Sequence, residues 1–126
     1  MSLLDDEIEI IERCDREAIT NFIKENYMTS SPIIIGVSID KDTNGSWIVN
    51  IRGSISVKNK KIESLTNGLF RFGIVTGSFY CVNCWKLKSL EGGPECVYGW
   101  FKCNNELIDL DNSHLPKFVG IGFDLF

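Results

Sequence analysis

The chain has 126 residues, 44% of them hydrophobic and 24% charged, a composition of one ordinary globular domain that excludes a disordered chain. Its formal net charge of −4 excludes the strongly basic balance with which proteins neutralise nucleic-acid phosphates. No apolar run approaches the ~18 residues of a membrane span, and the acidic opening "MSLLDDEIEI" is unlike a secretory leader, which is basic and then apolar. A cytosolic protein without membrane association is expected. The five cysteines are an odd number and need no pairing in a reducing compartment.

Residues 3–27 read as helix. Ile8, Ile11, Ile19, Phe22 and Ile23 recur at intervals near 3.6 with charge between them. Asp15 or Thr20 can start a second helix, which places a possible break near Cys14. Residues 1–30 hold eight acids and three bases, so the negative charge sits in this segment and the remainder is about neutral. Such a segment is usually a solvated helix face, although it can also meet a basic protein surface. Ser30-Ser31-Pro32 stops the helix, because proline disfavours helix in the residue before it. The organisation expected is an acidic helical cap over 1–31 and a β-rich part over 32–126, together one compact domain.

Past Pro32 the glycines and most of the β-branched and aromatic residues follow. Val37/Ile39 and Trp47/Val49/Ile51 alternate on either side of Asn44-Gly45, which predicts a hairpin or tight turn. Trp47 is expected in the core.

A repeat then organises the rest. "GSFYC" begins at Gly77 and "GWFKC" at Gly99. Phe79 and Phe101 are 22 positions apart, as are Cys81 and Cys103, and Val97 and Val119; the same step reaches Phe123 and Leu125. "GSISV" at Gly53 precedes them with an offset of 24. Leucine or isoleucine pairs follow three copies: Ile62/Leu65, Leu87/Leu90 and Leu107/Leu110. A period of 20–29 residues with this apolar alternation is the pattern of leucine-rich repeats, each supplying one short parallel strand to a shared core. Cys81 and Cys103 become equivalent inward rungs, since a free thiol behaves as a small hydrophobe. Cys84 falls where a thiol can serve the turn backbone. A zinc site from Cys81, Cys84, Cys96 and Cys103 is the alternative; against it, the second half is a lone cysteine rather than a second C-x-x-C. No cofactor or metal is expected, and His114 reads as a loop residue.

The stretch "GSFYCVNCWKLKSLEGGPECVYGWFKCNNELIDL" resembles the cysteine-containing leucine-rich repeats of small proteins from tailed phages and prophages. The matching residues are Phe79, Cys81, Leu87, Leu90-Glu91-Gly92, Pro94 and Val97, then Phe101, Cys103, Asn104-Asn105, Leu107 and Leu110. "LFRFGIVTG" resembles the family's usual lead into the array. The likeness covers about residues 48–126 well and 15–47 loosely. The spacing departs by one residue before Leu87 and by one before Leu107, and a bulge is expected near Cys84 and Trp85. The resemblance implies an α+β fold, with the N-terminal helix or helices packed on a short solenoid with a parallel sheet. It also implies a phage or mobile-element origin, the cytosol of a bacterial host, a binding role and no catalytic residue.

The outward strand positions of such an array are Ser54, Ser56 and Lys58; Ser78, Tyr80 and Val82; Trp100, Lys102 and Asn104; Gly122, Asp124 and Phe126. Tyr80 and Trp100 are diagonal neighbours beside Lys102, a combination common in binding surfaces. Tyr80, Trp100, Lys102, Lys58, Asp124 and Phe126, with Trp85 in the irregular turn, are therefore the candidate contact residues. Helices folded over this face are the competing arrangement. The last strand, "GFDLF", offers an edge for a partner or for a homodimer. The leading functional class is a non-enzymatic binder of a host protein, with inhibition of a defence component such as a nuclease as its action. Single-stranded nucleic-acid binding through Tyr80, Trp100, Lys58 and Lys102 is opposed by the near-neutral charge. A self-assembling structural protein is the third class. No phosphate loop, nucleophile elbow or His/Asp pairing points to an enzyme.

Overall fold

A computed structural model describes residues 5–103 and 114–125. One helix, α1 (Asp5–Asn26), runs without a break at Cys14. Asn26 ends it: its side-chain amide donates back to the Phe22 carbonyl, and its own carbonyl accepts the N–H groups of Lys58 and Asn59. The chain then enters a short strand, β1 (Tyr27–Thr29), whose first residue is the last of the helix expected over 3–27. After Pro32 a single turn, α2 (Ile33–Gly36), leads into β2 (Val37–Lys41).

The hairpin forms as the sequence indicates. β2 pairs antiparallel with β3 (Trp47–Ile51), and the Asp42 carboxylate accepts N–H bonds from Asn44 and Ser46 inside the turn. Gly45 takes φ +81° there, a conformation that costs glycine little.

From β3 onward the chain winds as a solenoid with two strands in each coil rather than the single strand expected. The remaining strands are β4 (Ile55–Val57), β5 (Arg71–Val75), β6 (Phe79–Cys81), β7 (Cys96–Val97), β8 (Trp100–Cys103), β9 (Phe118–Val119) and β10 (Gly122–Leu125). The first sheet has the order β1-β4-β6-β8-β10 and the second β2-β3-β5-β7-β9. Within each sheet the coils stack in parallel, and only β1 and β2 run antiparallel to their neighbours. The 22-residue step is the register itself: Phe79 faces Phe101 and Cys81 faces Cys103, while Phe101 faces Phe123 and Val97 faces Val119.

The second strand arises from the corner. Gly77 donates its N–H to the Gly53 carbonyl, Gly99 to that of Gly77, and Ile121 to that of Gly99. A Cβ on Gly99 would lie 2.8 Å from the Gly77 oxygen, inside van der Waals contact, so glycine lets successive coils turn this close. Beside this seam a serine ladder satisfies the backbone where the corner breaks the strand pattern. Ser30 Oγ accepts from Ser54 N–H, Ser54 Oγ from Ser78 N–H, and Ser78 Oγ from Trp100 N–H, at 2.8–2.9 Å. Ser78 is therefore buried, not outward as alternation suggested.

Inward residues from both sheets form one core. Phe72, Phe79, Phe101, Val49, Ile51, Ile55, Val75 and Val97 are fully buried, with Ile62, Leu65, Leu87 and Leu90 closing it from the loops. α1 closes the first-coil end. Ile19 and Ile23 are buried, Phe22 packs edge-on to Phe70, and Arg16 donates to the Ile39 carbonyl. Trp47 is buried as expected; its indole N–H reaches Asp15, and Arg16 and Lys41 lie over its ring. The N-terminal half of α1 overhangs this contact, so Ile8 and Ile11, which share the helical spacing of Ile19 and Ile23, are exposed. Among the described residues no helix is long and apolar enough to cross a membrane.

Candidate functional site

The outer face of the first sheet brings the expected residues together. The strand register places Tyr80 opposite Lys102, and Lys102 opposite Asp124. Trp100, one residue before the rung shared by Phe79 and Phe101, falls diagonally from Tyr80. The Lys102 ammonium stands 5.7 Å from the Tyr80 ring and 5.4 Å from the Trp100 ring, and 3.7 Å from an Asp124 carboxylate oxygen. One cation thus bridges two aromatic faces and one acid. A cation over an aromatic face is worth about 0.5–1 kcal/mol at an exposed site, enough to hold both rings in preferred orientations. Trp100 is 38% exposed and Tyr80 half-buried.

The cluster continues across the sheet. Met28 on β1 is exposed, and a shallow depression of about 200 Å³ runs from Met28 and Thr29 over Ser54 and Ser56 to Tyr80. Its lining mixes hydroxyls with an adaptable thioether and an aromatic ring. The contacts of α1 run instead to Ile39, Lys41, Trp47 and Lys58, at the end of the stack. The helix caps the solenoid and leaves the Tyr80–Trp100 face open.

The other expected residues are more scattered. Lys58 lies at the helix side of the sheet, its ammonium donating to the Lys24 carbonyl. Trp85 is 64% exposed in the turn after β6, where Asn83 takes φ +57°. Phe126, Asn104, Asn105 and the Leu107/Leu110 pair lie outside the described residues.

A second exposed set escaped the sequence reading. Ile74, Cys96 and Phe118 share one outward ladder of the second sheet. Ile74, Tyr98 and Phe118 are exposed, with Tyr98 packed edge-on to Phe118. Counting one strand per repeat hid this face, although the 22-residue spacing from Ile74 to Cys96 and Phe118 carries the signal.

Three of the five cysteines are core residues, and Cys14 on α1 is exposed. Cys81, Cys84 and Cys103 are buried, while Cys96 is half-exposed on the second sheet. Cys84 donates weakly to the Val82 carbonyl and Cys81 to that of Lys102. Among the described residues no group of three or more His, Cys, Asp or Glu side chains is placed to hold a metal ion. The hydrogen bond with Cys103, then burial, pushes the Cys81 thiol well up, the same bond lowers the Cys103 thiol, and burial pushes up Cys84. Burial likewise raises Tyr27, whose hydroxyl donates to the Leu65 carbonyl at 2.6 Å.

These shifts set an alkaline limit on stability. Burial favours the neutral form of Cys81, Cys84 and Tyr27 in the fold, so its contribution is complete below the ordinary thiol range and fades as pH rises through it, while the Cys81–Cys103 bond moves its two thiols in opposite directions. The melting temperature is expected to hold between about pH 6 and 8 and to fall above roughly pH 8.5, where free thiols ionise. A thermal melt series followed by circular dichroism checks this. An unchanged midpoint above that range would show that the three groups ionise alike in both states.

Comparison with protein-family models, with curated proteins and with solved structures finds no match.

Proposed function

We propose that this chain is a non-enzymatic protein-binding module that acts through the outer face of its first sheet. Tyr80, Trp100 and Lys102 form the contact centre, with Asp124 beside them and Lys58 and Trp85 at the margin. The carrying observation is the Lys102 ammonium held between two aromatic rings on a face that α1 leaves open. Trp and Tyr on a rigid strand bury large area at small entropic cost, and such residues concentrate binding energy.

The repeat supports a more specific reading. Phenylalanine and cysteine rungs at a 22-residue step, closed by Leu87 and Leu90 from the loop, fit the cysteine-containing leucine-rich repeats of tailed phages and prophages. On that reading the chain acts in the cytosol of a bacterial host. Its target is a host protein, and blocking a defence component such as a nuclease is the action that suits a small binder.

The test is capture from bacterial lysate by the tagged chain beside a Tyr80→Ala/Trp100→Ala/Lys102→Ala variant, with mass spectrometry of the bound fraction. A protein retained by the wild type and lost by the folded variant is the expected result. Equal retention by both would place the binding surface elsewhere. Recovery of oligonucleotides in place of protein would turn the face into a base-stacking platform.

A further inference from the structure

A cleft of about 510 Å³ opens where the β2–β3 turn, the loop from Ser64 to Phe70 and the Glu91–Gly92 turn come together. Its size is that of a small-molecule site, about 300–1,000 Å³. Trp47 and Arg71, which open β3 and β5, line it. It therefore belongs to the second sheet and shares no residue with the Tyr80–Trp100 face. Leu69, Phe70 and Trp47 supply apolar wall, and Ser64, Thr66, Arg71 and Glu91 supply polar groups.

One of these groups has no role in holding the fold. Thr66 is 3% exposed, and among the described residues its hydroxyl has no hydrogen-bond partner. Buried polar groups are nearly always paired, so an orphan marks a place that water or a ligand completes. The hydroxyl faces Gly92: a Cβ there would lie 2.5 Å from Thr66 Oγ1. Glycine at 92, with φ +82°, keeps that hydroxyl clear at the floor of the cleft. The neighbouring groups are held ready. Ser64 Oγ accepts the Asn67 N–H at 2.9 Å and the Thr66 N–H at 3.4 Å, which leaves its own proton to donate. Arg71 donates to Asp42 at 3.3 Å and to Glu95. Those bonds fix the guanidinium and leave several of its five N–H groups to spare. The Glu91 carboxylate is exposed and, among the described residues, unpaired.

We propose that this cleft binds a neutral sugar ring. Charge narrows the choice first. The one cation, Arg71, meets three acids, Asp42, Glu95 and Glu91, so a phosphate or a carboxylate would enter against net negative charge. Hydrogen bonding narrows it further. Ser64 and Arg71 have protons to donate, Glu91 can only accept, and Thr66 can do either. An ammonium ligand would suit the acids, but it has no acceptor for Ser64 and Arg71. A pyranose has both: each hydroxyl donates one proton and accepts through its lone pairs. Its C–H face matches the apolar wall at Leu69 and Phe70. The site stands whether or not the first sheet binds a protein.

Titration of the isotope-labelled chain with the methyl glycosides of glucose, galactose, mannose and N-acetylglucosamine, followed by amide chemical shifts, tests the proposal. With at least one glycoside the amides of Thr66, Gly68, Arg71 and Gly92 should shift together and saturate at millimolar concentration. Those of Tyr80 and Lys102 should stay in place. Thr66→Val keeps the shape of the side chain and removes only a hydroxyl without an internal bond. It should weaken that binding at least about tenfold and leave the melting temperature unchanged or higher. If Thr66→Val fails to fold, Glu91→Gln, at an exposed position, should show the same loss of binding. Absence of saturable shifts at the cleft with every one of these glycosides would overturn the proposal. So would tighter binding of inorganic phosphate or putrescine than of any glycoside, or a folded Thr66→Val protein that binds as the wild type does.

Discussion

Phe79→Ala is expected to lower the free energy of unfolding by about 3–5 kcal/mol, the range for emptying a large aromatic site in a packed core. Phe79 is where the coils meet. Its ring stacks on Phe101 at 5.8 Å, meets Phe72 edge-on at 5.4 Å and touches Tyr27 at 6.4 Å. It therefore joins the first sheet, the second sheet and the strand that follows the cap. Neighbours on parallel strands cannot close over the void without giving up their register. The same truncation at Phe123, half-exposed at the end of the ladder, should cost less than half as much. Urea unfolding of both variants beside the wild type checks the order. Equal losses would mean that the ladder does not carry the core as described.

Trp100→Ala is expected to weaken binding of the captured partner at least about 30-fold, or 2 kcal/mol, the scale of an interface hot spot. Its backbone N–H is held by Ser78 Oγ, a bond that survives truncation of the side chain, so the strand should remain in place. The loss should then reflect the missing ring and the freed Lys102 ammonium rather than unfolding. Trp85→Ala, in the turn, should change affinity no more than about threefold, the behaviour of a marginal contact. Calorimetric titration with the captured partner, with melting temperatures as the control for folding, separates the two. A larger loss at Trp85 would move the centre of the site to the turn.

Much of this arrangement was legible because solenoids convert sequence offset directly into contact. The step of 22 placed Phe79 on Phe101 and Cys81 on Cys103, and it put Tyr80 diagonal to Trp100. Asn44-Gly45 marked its hairpin, and the alternation around Trp47 marked its burial. The failures have physical causes. Tyr27 read as the last residue of a helix because the apolar period runs on through Ile23, yet it opens a strand, Tyr27–Thr29, that adds to the first sheet. Ser78 read as outward because alternation was extended through a corner, where its hydroxyl is instead taken up by a backbone N–H. Ile8 and Ile11 have the helical spacing of a core face, but the helix extends past the coil that could cover them. The second sheet was missed where its strands are shortest: Cys96–Val97 and Phe118–Val119 are too brief to show alternation, and only stacking against longer neighbours defines them.

The central claim is that the first sheet, not the second, is the binding face. The most direct measurement is photo-crosslinking with benzoylphenylalanine placed at Tyr80 in one protein and at Ile74 in another. Both positions face solvent, one on each sheet. The account predicts that the protein lost by the triple variant crosslinks from position 80 and not from position 74. Crosslinking from position 74 alone would contradict it and would make the apolar Ile74–Tyr98–Phe118 surface the binding face.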